Sequence, residues 1–482
     1  MLRSRSMKRC ILYLLTISLV LTALSFPIGK NSVKAASGGA YETNTYRNLF
    51  AEIGKSQSEI DAKLQKAFDQ MFYGDDSTQR LFYPVGTDKA YIMDVGDNDV
   101  RSEGMSYGMM ICVQMDKKKE FDMLWKWAKE YMYHADGQFK GFFAWQCSTS
   151  GSKMDNTPAS DGEEYFATSL LFASNRWGDG TGIYNYSAEA KALLDAMLHQ
   201  SDDGVGVNMF NKTEKKVVFC PTSGADAFSD PSYHLPAFYE LWALWGEKDN
   251  SFWSDAASAS RQFFQKATNS TTGLAPDYAN FDGSPKDVSW SSGHADFRFD
   301  AWRVASNIAV DYAWWGKDSW QVTFADRIQG FFYKEGISSY GNQFTVSGSK
   351  LSSDHSPGLV AMNAVASLAS TNKSNEFVEE LWKVSIPSGK WRYYDGMLYM
   401  MGLLHCSGNF KIWKPDSGEI LCGDINVDKA VNSIDFALLR KHLLGMSILT
   451  GNNLLAADMN KDGSVNSIDF ALLRQILLGM PS

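Results

Sequence analysis

The sequence lacks the C-x-x-C arrangement that structural zinc sites and redox-active disulfides use. Its six cysteines are scattered over 482 residues, at positions 10, 112, 147, 220, 406 and 422. Cys10 falls in an N-terminal segment that we expect to be removed, and the odd number that remains cannot all pair. Most of the others are expected to be small buried hydrophobic residues. The sequence therefore predicts neither a zinc site nor a disulfide framework.

The sequence also lacks an excess of positive charge. It has 46 Lys and Arg against 55 Asp and Glu, for a net charge of −9. Residues 1–35 carry six of the basic residues and no acidic one, so the rest of the chain has 40 against 55 and a net charge near −15. A nucleic-acid partner is not expected, because binding a phosphate backbone requires a basic face.

Long apolar runs are missing except at the N terminus. There, basic residues at positions 3, 5, 8 and 9 precede an apolar run from Ile11 to about Phe26, and small residues follow at 33–36. This order is typical of a secretory signal, and the run is shorter than the ~20 residues that a membrane span requires. The sequence predicts a signal peptide over 1–35, a secreted, extracellular protein and no membrane partner.

Aromatic residues, by contrast, are abundant at 13%, with 15 Trp, 21 Tyr and 29 Phe. Most of them are expected in a large core. The same composition suits a groove lined with flat rings, on which sugars stack.

Apolar residues recur at helical spacing from about Tyr41 to His405, as in Phe121, Leu124 and Ala128. Two short β-like pairs are possible, at 217–220 and 344–346. About a dozen helices joined by polar loops favour a mainly α fold, an α/α toroid with six helix pairs around a central cleft. The predicted helices span 57–72, 103–116, 119–133, 163–175, 187–199, 231–246, 252–267, 301–315, 319–334, 357–371, 376–384 and 395–406.

An internal repeat follows a short linker at 415–422. Two twelve-residue loops, starting at Asp424 and Asp458, are offset by 34 residues and place oxygen side chains at positions 1, 3, 5, 9 and 12. This is the spacing with which an EF-hand loop surrounds Ca²⁺, with a backbone carbonyl added at position 7. The predicted ligands of two Ca²⁺ ions are Asp424, Asn426, Asp428, Ala430, Asn432, Asp435, Asp458, Asn460, Asp462, Ser464, Asn466 and Asp469.

The repeat departs from a regulatory EF-hand. Position 12 is Asp rather than Glu, only the second copy has Gly at position 6, and each loop is predicted to precede one helix with no helix leading in. Residues 423–482 instead resemble a type I dockerin. The resemblance implies that Ca²⁺ folds the module, that a scaffoldin cohesin is its partner in a cellulosome, and that Ser433-Ile434 and Ser467-Ile468 contact that cohesin.

A docked enzyme of this kind would act on polysaccharide, and glycoside hydrolysis requires two carboxyl groups, one protonated and one ionised. Four residues at predicted helix starts are candidates: Glu103, Asp161, Tyr233 and Asp300. Helix capping alone is the alternative, with Ser160 and Glu163 as a capping box beside Asp161, and Asp300 as an N-cap.

A physical conflict attaches to Glu103. A helix N-terminus stabilises the ionised form of a carboxyl group, which suits a base and opposes an acid. If Glu103 is the acid, apolar burial or a neighbouring carboxylate such as Asp161 must raise its pKa.

Several separate motifs between 41 and 414 resemble glycoside hydrolase family 8: RSEGMSYGM at 101–109, DGEEYFA at 161–167, FSDPSYHLP at 228–236, DAWR at 300–303 and YYD at 393–395. The resemblance implies an (α/α)6 barrel, inversion at the anomeric carbon and no catalytic cofactor. It assigns the proton donor to Glu103, the base to Asp300, distortion of the sugar to Asp161 and a contact with the attacking water to Tyr233.

Within that family, the motifs are most similar to those of reducing-end xylose-releasing exo-oligoxylanases, whose substrates are xylo-oligosaccharides. His355 falls where those enzymes carry a His that blocks the cleft, although Ser356 here separates it from Pro357. The loop before Asp300 is about two residues longer, so Asp296 is a second candidate for the base.

Arg303 and four aromatic residues are predicted to bind the substrate, the latter by stacking: Trp145, Trp391, Tyr107 and Tyr394. Two alternatives stay open from the sequence. One is an endo-acting xylanase, glucanase or chitosanase of the same family, and the other is a non-catalytic carbohydrate-binding component of a cellulosome.

Overall fold

The computed structural model describes residues 38–202, 204–372, 374–415, 421–426, 430–449 and 451–479. The predicted signal peptide, most of the predicted linker and Asp428 lie outside the described residues. Within the described ranges, no helix is both long and apolar enough to cross a membrane.

In the described part of residues 57–406, twelve helices alternate between an inner and an outer ring. The inner helices contact one another in a closed circle. Each of the first five packs against the outer helix that follows it in the chain, and the last inner helix packs against the first outer helix. The inner helices are α4 (Ser102–Gln114), α6 (Ser160–Trp177), α8 (Pro236–Trp245), α10 (Arg303–Trp315), α12 (Pro357–Val365) and α14 (Arg392–Cys406). The outer helices are α3 (Gln57–Tyr73), α5 (Lys118–Trp127), α7 (Tyr186–His199), α9 (Asn250–Ala267), α11 (Trp320–Glu335) and α13 (Ser374–Lys383).

The two rings differ in how much of each helix is buried. In α4 every residue except Glu103 is buried, as expected for a helix surrounded by others. In α3 the buried side chains follow helical spacing, as Ile60, Leu64, Phe68 and Met71 show, and the opposite face is solvated. This arrangement confirms the predicted (α/α)6 barrel.

Alternation of the rings decides where the site lies. Because each inner helix is followed by an outer helix running back, all six inner helices run in the same direction, and their N-termini meet at one end of the barrel. The loops and short strands at that end carry the residues of the cleft.

Two short helices, α1 (Ala40–Thr43) and α2 (Leu49–Glu52), precede the barrel and were not predicted. Predicted helix 231–246 is broken at His234 and Leu235: Pro231–Tyr233 is a 3-10 turn, and α8 starts at Pro236. A π-helical turn over Ala128–Met132 follows α5, and a 3-10 turn over Ala366–Leu368 follows α12.

The strands of the described residues form five small antiparallel sheets. The strands are β1 (Phe82–Val85), β2 (Lys89–Ile92), β3 (Asp99–Arg101), β4 (Gln146–Ser148), β5 (Lys153–Asp155), β6 (Phe210–Asn211), β7 (Lys216–Val217), β8 (Phe228–Ser229), β9 (Ala279–Asn280), β10 (Gln343–Phe344) and β11 (Lys350–Ser352). Strands β3, β4 and β5 form one sheet in that order, and the other four sheets are the pairs β1–β2, β6–β7, β8–β9 and β10–β11.

The C-terminal repeat has a small core of its own, around Ile425, Leu439 and Leu473. Its helices are α15 (Ser433–Leu443), α16 (Gly451–Ala457) and α17 (Ser467–Leu477), and Phe436 stacks on Phe470 with centroids 4.2 Å apart. The prediction that no helix leads into either loop is wrong for the second copy, because α16 ends directly before Asp458.

Candidate active site

A cleft of about 480 Å³ opens at the end of the barrel where the inner helices begin. It brings together side chains from at least four of the six inner helix starts. The lining residues are Asp94, Asp97, Arg101, Ser102, Glu103, Trp145, Ala159, Asp161, Tyr233, Phe299, Asp300, Trp391, Tyr393 and Tyr394.

Arg303 connects the acidic residues of this cleft. Its Nη1 lies 3.2 Å from Glu103 Oε2 and 2.8 Å from Asp161 Oδ2, and its Nη2 lies 3.0 Å from Asp300 Oδ1. Arg303 is buried at the start of α10. One guanidinium group therefore holds three carboxyl groups that are far apart in the sequence.

Glu103 occupies the first turn of α4, as predicted. Strand β3 leads directly into this helix, and Ser102 N donates to Trp145 O at 2.9 Å, which fixes the turn. Tyr393 Oη donates a 3.0 Å hydrogen bond to Glu103 Oε1.

Burial resolves the conflict over the protonation of Glu103. Loss of solvent raises the pKa of Glu103 to about 8, the Arg303 charge opposes this shift, and the Asp161 and Asp300 charges add to it. The raised pKa favours the protonated side chain at neutral pH despite its position at a helix start.

Asp161 is buried in the first turn of α6, and burial raises its pKa while Arg303 opposes the shift. Two glycines allow this close packing. A Cβ at Gly162 would lie 2.6 Å from Ser102 Oγ, and a Cβ at Gly104 would lie 2.6 Å from the Tyr393 ring. Any side chain at either position would push apart the elements that carry the carboxyl groups.

The predicted capping box beside Asp161 is wrong. Ala159 is the N-cap residue and makes no side-chain cap. Ser160 Oγ instead donates to Val218 O at 2.8 Å, and the Glu163 carboxyl accepts from Phe143 N at 2.9 Å. Both side chains tie α6 to neighbouring loops, a long-range use that local sequence spacing does not reveal.

Asp300 lies inside a 3-10 turn, Phe299–Trp302. The alternative prediction that Asp300 is a helix N-cap is therefore wrong. Tyr394 Oη lies 3.2 Å from Asp300 Oδ1 and 3.1 Å from Phe299 O. Phe299 has φ +29°, a conformation that costs a non-glycine residue about 1–3 kcal/mol. The turn thus places the Asp300 carboxyl in the cleft at the expense of backbone strain.

Asp296, the second candidate base, does not line the cleft. Its backbone carbonyl accepts from Asp277 N at 2.9 Å, and its side chain is partly exposed elsewhere on the loop. The geometry therefore favours Asp300.

Tyr233 lines the cleft and is largely buried, with the Arg303 guanidinium 5.5 Å from its ring centroid. Behind it lie two buried acids that the sequence reasoning missed. Oxygens of Asp230, Asp277 and Asp300 lie within 4.8 Å of one another. Asp230 stands in the same motif as Tyr233, but no local pattern links it to Asp277.

Of the predicted substrate-binding residues, Trp145, Trp391 and Tyr394 line the cleft, and Trp391 is 69% exposed. The prediction that Tyr107 stacks on a sugar is wrong, because its side chain is only 1% exposed. Its hydroxyl lies 2.6 Å from Arg303 Nη1, and its ring packs on Tyr165. Arg303 likewise supports the cleft from beneath rather than lining it.

His355 is not among the residues that line the cleft. Its Nδ1 is 2.9 Å from Tyr340 O, its ring packs on the Tyr340 ring, and its buried Nε2 has no hydrogen-bond partner among the described residues. The role of a cleft-blocking residue stays a prediction.

Arg101 and Tyr393 are further cleft residues that were not singled out. Arg101 forms ion pairs with Asp94, Asp97 and Asp99 at one side of the cleft. Tyr393 could have been found from its position, since it precedes Tyr394 in the first turn of an inner helix. The five cysteines at 112, 147, 220, 406 and 422 are all free.

The cleft, with its acidic pair at the end of an (α/α)6 barrel, defines a glycoside hydrolase. The model of glycosyl hydrolases family 8 matches residues 87–408, and the model of the dockerin type I domain matches residues 422–478. The chain belongs to glycoside hydrolase family 8 and carries a type I dockerin domain. It is an enzyme, which sets aside a purely carbohydrate-binding component.

Two relatives and one solved structure show how similar the chain is to known members. It is 47% identical over 379 residues to the reducing-end xylose-releasing exo-oligoxylanase Rex8A of Paenibacillus barcinonensis, covering 78% of this chain and 98% of the relative. It is 44% identical over 395 residues to the reducing end xylose-releasing exo-oligoxylanase of Halalkalibacterium halodurans, covering 80% and 99%. A xylobiose complex of a family 8 protein from Teredinibacter turnerae superposes with a TM-score of 0.76 at 46% identity, covering 78% and 100%.

Proposed function

We propose that this enzyme releases xylose from the reducing end of xylo-oligosaccharides with inversion of configuration. The observation that carries the chemistry is the link from Arg303 to both Glu103 and Asp300 in one cleft. The similarity to two exo-oligoxylanases supports the substrate and the exo action.

Glu103 is the proposed acid. It holds a proton at neutral pH, and it transfers that proton to the glycosidic oxygen as the bond to the leaving xylose breaks. Tyr393 keeps the carboxyl group oriented through the 3.0 Å hydrogen bond.

Asp300 is the proposed base, and it takes a proton from the water that attacks the anomeric carbon. The two carboxyl groups contact different nitrogens of one guanidinium, so they are held apart rather than in direct contact. An inverting mechanism requires the acid and the base to lie about 6.5–9.5 Å apart, because the water must fit between base and sugar. Asp161 would hold the distorted sugar, and Tyr233 would contact the water.

Two substitutions test the pair. Glu103→Gln and Asp300→Asn should each lower kcat by about 10²–10⁴-fold on xylotriose, while the matched variant Asp296→Asn should retain activity. Proton NMR of the first product formed should show inverted configuration at the anomeric carbon. Full activity in Asp300→Asn together with loss in Asp296→Asn would move the base to Asp296.

Xylotriose labelled at its reducing end separates exo from endo action. Label that appears only in free xylose supports exo action. In a second assay on long xylan, release of random fragments would indicate an endo-acting xylanase of the family. His355→Ala tests whether His355 blocks the cleft. If it does, the variant should also release products longer than xylose from the reducing end.

The C-terminal repeat is proposed to bind two Ca²⁺ ions and a cohesin. In the second loop, Asp458 carboxylate oxygens accept from Asp462 N at 3.1 Å and Gly463 N at 2.8 Å, and Gly463 has φ +86° at the position of the sharp turn. The loop therefore gathers carboxylate and amide oxygens, which suit a hard cation. Of the predicted ligands in the first loop, Asp424, Asn426, Ala430, Asn432 and Asp435 are among the described residues.

We further propose that residues 1–35 direct secretion and that the enzyme works outside the cell in a cellulosome. The proposed division is a catalytic domain at 41–414, a linker at 415–422 and a dockerin at 423–482. Exposed Ile434 and Ile468, each with its preceding serine, would contact the cohesin.

A further inference from the structure

The mechanism leaves two buried acids beside the base without a role. Asp230 is fully buried and Asp277 is 2% exposed, whereas the Asp300 side chain is 30% exposed toward the cleft. One oxygen of each lies within 4.8 Å of an oxygen of the other two. Three negative charges at this distance with so little solvent would repel one another strongly.

The available cations do not compensate three charges. Arg303 Nη2 contacts Asp300, but Nη1 of the same group already serves Glu103 and Asp161. Arg298 directs its Nη1 to Ser292 O and its Nη2 to Gln343. Neither arginine forms an ion pair with Asp230 or Asp277 among the described residues.

The hydrogen bonds of Asp230 point to a neutral group. Its Oδ1 accepts from Ser232 N at 2.6 Å, and its Oδ2 is buried with no hydrogen-bond partner among the described residues. An ionised oxygen without a donor is costly to bury, whereas a protonated carboxyl group carries no charge that must be compensated.

The contacts of Asp277 are compatible with the same state. Its Oδ2 lies 2.6 Å from His294 Nδ1, and His294 Nε2 lies 2.9 Å from Ser291 Oγ. Burial and the Arg298 charge lower the pKa of His294, which favours the neutral imidazole. A protonated Asp277 can donate to Nδ1 while Nε2–H donates to the serine hydroxyl.

We propose that the base belongs to a three-carboxyl cluster in which Asp230 and Asp277 are neutral acids that position Asp300 and leave it as the only charged member. The proposal rests on the assignment of Asp300 as the base. Asp230 and Asp277 are positioning residues, since neither lines the cleft and both act through Asp300.

The charged and titratable groups around the cluster agree with this state. Burial is the main cause that raises the pKa of both Asp230 and Asp277, and the Asp300 charge adds to it for each. The Arg303 charge opposes the shift for both without reversing it. Other titratable groups that face the cluster are Tyr233, Tyr278, Tyr394, Cys220, His294 and Arg298. Glu103 and Asp161 also interact with the Asp300 charge.

Asparagine is a close mimic of a neutral carboxylic acid, so the test compares Asn with Ala at positions 230 and 277. Each Asn variant should keep at least about tenfold more kcat than the Ala variant, because it retains the buried hydrogen bonds. In both Asn variants, the acidic limb of the pH profile of kcat/KM, which reports protonation of the base, should lie at the same pH as in the wild-type enzyme. If Asp230 or Asp277 carries charge, its removal should move that limb down by about one pH unit or more, which would overturn the proposal.

Infrared difference spectra of the full chain give a readout that does not depend on catalysis. Each of Asp230→Asn and Asp277→Asn should remove part of the protonated carboxyl C=O absorption of the wild-type enzyme at pH 7, while the part from Glu103 remains. Absence of this loss in one or both variants would refute the proposal. Asp311→Asn is the matched control, since Asp311 is a buried carboxylate paired with Arg261 outside the cleft. If Asp300→Asn stays active, the base assignment fails, but the infrared result still decides the state of the cluster.

Discussion

Glu103 and Asp161 lie against the same nitrogen atom, at 3.2 and 2.8 Å from Arg303 Nη1. Two carboxyl groups that share one cationic hydrogen-bond donor cannot both be fully compensated. Asp161 has the shorter contact, and its charge raises the pKa of Glu103. The protonation of the proposed acid is therefore coupled to its neighbour.

The first prediction concerns the basic limb of the pH profile. Activity should fall as the pH rises through about 8, where Glu103 loses its proton. In Asp161→Asn the negative neighbour is gone and the Arg303 charge is less opposed, so the pKa of Glu103 should fall and the basic limb should move to lower pH. The kcat/KM profile on xylotriose measures this shift, and kcat should also drop.

Asp61→Asn, on the solvated face of the outer helix α3, is the control and should leave the profile in place. A basic limb that stays fixed in Asp161→Asn would mean that burial alone maintains the proton on Glu103.

The sequence predicted the parts of this site that follow from local pattern. Helical spacing gave the barrel, and Glu103, Asp161 and Asp300 were found because each begins an inner helix or lies just before one. The roles of Arg303 and Tyr107 were harder to predict, because their bonds join residues about 140 to 200 positions apart. Asp230 and Asp277 were missed for the same reason, since nothing in their neighbourhoods shows that their loops meet.

The second prediction uses two exposed tryptophans. Trp391 is 69% exposed and lines the cleft, while Trp290 is 62% exposed and does not line it. Trp391→Ala should raise KM for xylo-oligosaccharides by roughly tenfold, because a ring that covers a sugar contributes about 1–2 kcal/mol. Trp290→Ala should leave KM unchanged, and equal effects of both variants would argue against stacking at Trp391.

The third prediction concerns calcium. Asp458→Ala and Asp462→Ala remove oxygens from positions 1 and 5 of the second loop, so Ca²⁺ affinity measured by calorimetry should fall by at least about tenfold. The affinity of these variants for a type I cohesin should fall together with their Ca²⁺ affinity. The wild-type enzyme should also lose affinity for the cohesin when a chelator removes Ca²⁺. Xylose release should persist in all three cases.

Lys461→Ala is the matched control within the same loop, because position 4 supplies no side-chain oxygen. Loss of xylose release on removal of Ca²⁺ would show that the ion supports the catalytic barrel as well.

The fourth prediction tests a buried ion-pair network between α8, α9 and α10. Arg261 is buried, with Nη1 2.8 Å from Glu240 and Nη2 2.7 Å from Asp311. Arg261→Met should lower the free energy of unfolding by about 3–5 kcal/mol, because it leaves Asp311 buried without its cation. Lys118→Ala, which breaks an exposed pair with Asp122, should cost no more than about 1 kcal/mol. Denaturant unfolding measures both, and equal losses would mean that the buried network contributes no more than a surface pair.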